Sequence, residues 1–153
     1  MKFSKIIFCL MIAGAVVLSC NEKNEKEEPA QKQVLYRDGE YSARSSIQDD
    51  WGGTAEVTMT IKDGKIVACE FISYDKDGKL KDQDYGKIDG KIKNQGLYKI
   101  AQDSITLSAE YGKRLVETQD VEKVDANSGA TISYELFKDA AVSILEKAKL
   151  ETK

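Results

Sequence analysis

Apolar and polar residues alternate along residues 54–61. Val57, Met59 and Ile61 fall on one face, Thr58 and Thr60 on the other. A period of two predicts a half-buried β-strand. Asp63-Gly64 follows, a dipeptide that favours the two-residue hairpin turn. A return strand is therefore predicted over residues 65–73, pairing Ile61 with Ile66, Met59 with Ala68 and Thr58 with Cys69. The return strand carries apolar residues on both faces, which predicts that it is the more buried of the two. Cys69 reads as a small core residue. Upstream, Asp38-Gly39 reads as a turn, residues 40–46 as a short strand, and Trp51-Gly52-Gly53 as a break.

Helical periodicity is plainest near the end. Phe137, Ala140, Ala141, Ile144, Leu145 and Ala148 recur at i, i+3, i+4, i+7, i+8 and i+11. They form one apolar face, with Lys138, Asp139, Glu146 and Lys147 outside it. Thr131 and Ser133 stand where N-caps are wanted. A second helix is predicted over residues 104–117, with Ile105, Ala109 and Leu115 towards the core. Residues 75–96 are polar and Gly-rich and read as a long surface excursion. Asp-Gly-Lys occurs at 63–65, 77–79 and 89–91, but at unequal spacing, so it is turn chemistry and not a repeat. The expected fold class is α+β: an antiparallel sheet with an N-terminal hairpin, packed by C-terminal helices.

The first residues carry a different pattern. Lys2 and Lys5 precede an unbroken apolar run from Ile6 to Leu18, thirteen residues long. That is too short to span a bilayer, which takes roughly 20 residues, but fits the core of a signal peptide. The run ends Val17-Leu18-Ser19-Cys20, which resembles the lipobox of bacterial lipoproteins. The resemblance implies cleavage before Cys20 and acylation of its sulfur. Residues 21–33 are charged, lack aromatics and contain the sole proline, Pro29, and so read as a tether. The expected organisation is a lipoprotein signal peptide at 1–19, a lipidated Cys and disordered tether at 20–33, and one domain at 34–150. Cys9 leaves with the leader and Cys20 is lipidated, so Cys69 has no partner for an intramolecular disulfide.

Composition narrows the chemistry. The 153 residues include no His. Ser-His-Asp triads, Cys-His dyads, His-ligated zinc and His-ligated haem are excluded. The formal net charge is −3, with no basic run, so nucleic acid is not an expected partner. Chemistry must rest on carboxylates, Lys, Tyr, hydroxyls, the backbone or a borrowed cofactor.

Just before the last helix lies Asp125-Ala126-Asn127-Ser128-Gly129-Ala130-Thr131. This is a tight turn of small residues feeding a helix N-terminus, where free N–H groups and the helix dipole favour a phosphate. Thr131 adds a hydroxyl at the same place. The residues alone support an anion-tolerant helix start or an ordinary capped helix.

Asp125-x-x-Ser128-Gly129-Ala130-Thr131, with the apolar helix behind it, resembles the flavinylation motif of the FMN-binding domain family. That family includes flavin-bearing subunits of the sodium-pumping NADH:quinone oxidoreductase and of the Rnf complex, and pheromone-precursor-type lipoproteins of extracellular electron transfer. Asp38-Gly39-Glu40-Tyr41, Trp51-Gly52-Gly53, residues 57–66, Asp77-Gly78-Lys79, Asp84-Tyr85 and residues 121–125 resemble other parts of the family in order. The resemblance implies FMN joined by a phosphoester to Thr131, moved there from FAD by a Mg-dependent flavin transferase. Ser128, Gly129 and Ala130 become the recognition turn and Asp125 the motif acid. Ser133-Tyr134 departs from the two Ser often found there. No membrane helix is expected in the domain, so sodium pumping does not carry over. The implied role is a flavin electron carrier, rather than an independent enzyme, lipid-anchored outside a bacterial cytoplasmic membrane. It would relay electrons from a membrane donor to an extracytoplasmic acceptor. Trp51, Tyr41 and Tyr134 are candidates to stack on the ring.

Two other readings compete. Residues 73–84 partly fit a calcium loop, with oxygen residues at positions 1, 3, 5 and 12 and Gly at 6, but lack the bidentate Glu. The second is a non-redox surface lipoprotein or binding module with an unused motif.

Overall fold

The computed structural model describes residues 36–150. The expected leader, lipobox with Cys20 and tether lie outside the described residues. Three strands, β1 (Gly39–Arg44), β2 (Thr54–Lys62) and β3 (Lys65–Tyr74), form an antiparallel sheet in that order. Three helices follow: α1 (Gln95–Ser108), α2 (Glu110–Thr118) and α3 (Thr131–Ala148), with a 3-10 turn at Val121–Lys123. This is the expected α+β architecture in one domain. Among the described residues no helix is long and apolar enough to cross a membrane.

The hairpin turn forms at Asp63-Gly64, both at positive φ (52° and 72°). That is the backbone such a two-residue turn requires. The Asp38 carboxylate caps it, accepting hydrogen bonds from the N–H groups of Asp63 and Gly64 at 3.0 and 2.9 Å. Ile61 pairs with Ile66 as expected. Beyond it the register shifts by one: Thr60 pairs with Ala68, Met59 with Cys69 and Thr58 with Glu70. The expected pairings of Met59 with Ala68 and Thr58 with Cys69 are therefore corrected. Val67 is the extra residue, a β-bulge. Without it the period of two would turn Ala68, Glu70 and Ile72 inward. With it, Cys69, Phe71 and Ser73 lie opposite the buried Met59, Val57 and Ala55. The bulge keeps the Glu70 carboxylate out of the core, where an unpaired charge is costly.

β2, not β3, is the more buried strand. It is central, and Ala55, Val57, Met59 and Ile61 are all buried, whereas β3 is an edge. The apolar residues on both faces of β3 reflect the bulge, not two covered faces. Cys69 is half-buried and burial pushes its thiol up to about 12, consistent with an unreactive core residue.

α3 crosses β1 and β2 and buries the predicted stripe from Phe137 to Ala148. Its start is not capped as expected. Ala130 is the N-cap, no side chain caps the helix, and Thr131 and Ser133 lie inside it. The second helix also differs from expectation. It begins at Gln95, where the Asn94 side chain accepts from the Leu97 N–H, and it breaks at Ala109, which is exposed. The surface excursion therefore ends sooner than residue 96, and α1 and α2 replace one helix.

α2 lies directly on β3. A Cβ at Gly112 would collide with the Cys69 carbonyl. Glycine there permits the close approach that seats Tyr111 and Leu115, both fully buried, in the core. Gly112→Ala should force α2 off the strand and destabilise the domain by about 1–3 kcal/mol. A lower urea midpoint with an unchanged m-value would show it.

Candidate functional site

A cleft of about 500 Å³ opens between the start of α3, one side of α1 and the turn before β2. α1 contributes a stripe at helical spacing: Leu97, Ile100, Ala101, Ser104 and Ile105 all line it. Leu97 and Ile100 are 64% and 63% exposed because they face this opening and not the core. Trp51 also lines it, 68% exposed. Gly129, Ala130, Thr131, Ile132 and Ser133 supply the α3 side.

The motif turn is rigidly placed. Gly129 sits at φ 92°, in the left-handed region that favours glycine. Ala130 is buried, and its N–H donates to the Asn127 carbonyl at 2.9 Å. The buried Tyr111 hydroxyl donates to the Ala130 carbonyl at 2.9 Å and accepts the Asn127 N–H at 3.1 Å. Arg114 donates to the Asp125 carbonyl and the Asn127 side-chain oxygen at 3.0 and 2.8 Å. The Asn127 amide donates to the Leu107 carbonyl at 2.7 Å. Helices α1 and α2 therefore hold the turn from behind. Thr131 is left exposed on the cleft side, at the first residue of a helix without a side-chain cap. The leading N–H groups of such a helix have no intrahelical acceptor.

Of the motif, Gly129, Ala130 and Thr131 line the cleft. Ser128 and Asp125 are exposed and are not among its lining residues. Of the three aromatics, Trp51 alone lines it. Tyr41 donates its hydroxyl to the Arg37 carbonyl, and Tyr134 packs edge-on against Tyr111, so neither is placed to stack in the cleft.

At the cleft the sequence also brings together a pair it did not advertise. Lys81 Nζ meets Asp49 Oδ2 at 2.6 Å, with their side chains only 10% and 3% exposed. Asp49 Oδ1 accepts the N–H groups of Trp51 and Gly53 at 2.9 and 2.6 Å. Burial pushes the Asp49 carboxyl up, but the Lys81 ammonium and the Gly53 and Trp51 N–H groups outweigh it and hold it below its ordinary value. Lys81 Nζ also lies 5.1 Å from the centre of the Tyr85 ring. Gly53 has no room for a side chain: a Cβ would meet Asp49 Oδ2 at 2.5 Å and the Tyr74 carbonyl at 2.7 Å. The roles of Lys81, Asn127, Arg114 and Tyr111, and the ion pair of Asp49, carry no local sequence signal, because each rests on a partner distant in the chain.

The calcium reading gains nothing from this geometry. Asp75 turns its carboxylate into the N–H groups of Asp77 and Lys79, Asp77 pairs with Lys76, and Asp84 with Lys87.

Comparison with known proteins bears on the same residues. The model of the FMN-binding domain family matches residues 50–146. A crystal structure of a protein from Clostridium perfringens aligns at 26% identity with a TM-score of 0.58, covering 74% of this chain and 89% of that one. A solution structure from Clostridium thermocellum is 26% identical over 72% of this chain and 90% of that one, with a TM-score of 0.42. Curated proteins give no match.

The Asp49–Lys81 pair makes a prediction in pH. A carboxyl held low in the folded state stabilises it above the unfolded pKa of about 3.9, and that stabilisation is lost as pH falls through the folded value. Asp49→Asn should cost about 3 kcal/mol at pH 7, by leaving Lys81 buried and unpaired. Urea midpoints should converge with those of the parent as pH is lowered from 5 towards 3.

Proposed function

The chain belongs to the FMN-binding domain family, and we propose that it carries FMN covalently, as a phosphoester of Thr131, and serves as an electron relay. The family supports a flavin-binding role. The observation that carries the finer reading is the position of Thr131. Its exposed side chain stands at the cleft, beside uncapped N–H groups that suit a phosphate. The cleft falls within the 300–1,000 Å³ typical of small-molecule sites. Its walls of Trp51, Leu97, Ile100 and Ile132 are the large apolar surfaces that a flat aromatic ring needs.

Attachment requires one exchange. A Mg-dependent transferase brings FAD; the Thr131 oxygen bonds to the FMN phosphorus, the pyrophosphate bond breaks, AMP leaves and the hydroxyl proton is released. Ser128, Gly129 and Ala130 form the turn that the transferase reads, with Asp125 as its acid. When bound, FMN supplies reversible electron transfer, and the protein supplies tether, orientation and tuning. The chain itself holds the turn through Tyr111 and Arg114, presents Thr131, and offers the apolar walls that would hold the ring.

In this reading Cys20 is the lipid attachment point and residues 21–33 the tether. The domain then works outside the cytoplasmic membrane, between a membrane donor and an extracytoplasmic acceptor. A covalent link suits that location, because no surrounding FMN pool replaces a lost cofactor.

Co-expression with a secreted flavin transferase tests the proposal. Intact mass should rise by one FMN less one water, with flavin fluorescence surviving denaturation. Thr131→Ala should remain folded and show neither signal. No gain in the parent, with a transferase active on another substrate, would leave a non-redox binding module in its place.

A further inference from the structure

Among the described residues, Asp49 and Lys81 are the charged side chains lining the cleft. They are not equivalent there. The Asp49 carboxylate holds three donors: Oδ2 takes Lys81, and Oδ1 takes the Trp51 and Gly53 N–H groups. Lys81 has three donors, of which one is committed to Asp49, while the Tyr85 ring offers its face at 5.1 Å. The more exposed member of the pair is also the cation. The pair is thus a fixed dipole whose cationic end belongs to the more exposed side chain, in surroundings of low dielectric, where it acts strongly. A buried cation needs a compensating anion, and Asp49, the more buried of the two, supplies it.

Resting on the flavin reading above, we propose that Lys81, held by Asp49, is the positioning and potential-setting residue for the isoalloxazine that the cleft would hold. Two electrons and one proton convert the neutral oxidised ring to a reduced ring bearing one negative charge. An ammonium beside the ring binds the reduced anion more tightly than the oxidised form, and so raises the reduction potential. Trp51 is coupled to the same device, since its N–H rests on Asp49. One carboxylate thus fixes both an aromatic wall and the cation.

The test is potentiometry of the full chain loaded with FMN by transferase, with dithionite as reductant and a reference dye. Lys81→Met should weaken the preference for the reduced ring about tenfold, a fall of about 30 mV for a two-electron couple. Lys81→Arg should restore the parent value. Where Lys81→Met does not fold, Lys81→Met with Asp49→Asn decides, since it removes both buried charges together and should show the same fall. A potential unchanged in a loaded, folded variant overturns the proposal. A parent that takes up no covalent flavin refutes attachment at Thr131 instead. The affinities of the parent and of the folded variant for free oxidised and reduced riboflavin then decide. A ratio that drops about tenfold without Lys81 supports the proposal, and an unchanged ratio, or no binding by the parent, overturns it.

Discussion

Tyr111 joins the hydrophobic core to the motif turn. Its ring is fully buried against Phe71, Tyr134 and Phe137, while its hydroxyl bridges the Ala130 carbonyl and the Asn127 N–H. A phenol buried this deeply must find polar partners, and here they are the backbone of the motif turn. The hydrophobic packing of α2 thus becomes positional precision at the start of α3. That packing depends in turn on Gly112, which lets α2 touch the backbone of β3. The bulge at Val67 completes the chain of dependence, because it turns Phe71 inward to meet Tyr111 and Phe137.

Most of the fold is legible in the sequence because local signals agree with one another. Strict alternation marks β2, Asp63-Gly64 sets the turn, and the apolar stripe of α3 stands out over three turns. The bulge escapes a reading by period, although a trace of it is present. Continuing the hairpin register would bury Glu70 and expose Phe71, a conflict that one extra residue removes. The helix α1 escapes for a related reason. Leu97, Ile100, Ala101, Ser104 and Ile105 do recur with helical period, but Gly96 and the turn-rich sequence before it mask the start.

The site divides along the same line. The motif is contiguous, so its turn, its Thr131 and its helix can be read from seven residues. Its supports cannot. Arg114, Asn127, Asp49 and Lys81 gain their roles from contacts across 11 to 32 residues of chain. A charged residue that will be buried looks, in sequence, like any other surface charge. Tyr41 and Tyr134 fail as ring partners for the converse reason: residue type suggests stacking, while the sheet and α3 have already committed both rings elsewhere.

The exposed apolar wall of the cleft bears on what the domain is for. Trp51, Leu97, Ile100 and Ile132 are each more than a third exposed, although they sit on the turn before β2 and on helices α1 and α3. Leaving such side chains partly in water forgoes a share of the roughly 1.5–3 kcal/mol that full burial of each would bring. The fold does not close over them, because α1 stops at Ala109 and α3 begins only at Thr131, with the small residues Gly129 and Ala130 between the walls. Filling the gap with larger side chains would recover that energy and abolish the cleft. A flat aromatic ring tethered at Thr131 would cover the same surface, so the apolar burial that the free chain lacks would come from its cofactor. In such a design the ring is part of the core, and its electronic properties are set by whatever charge the cleft already contains.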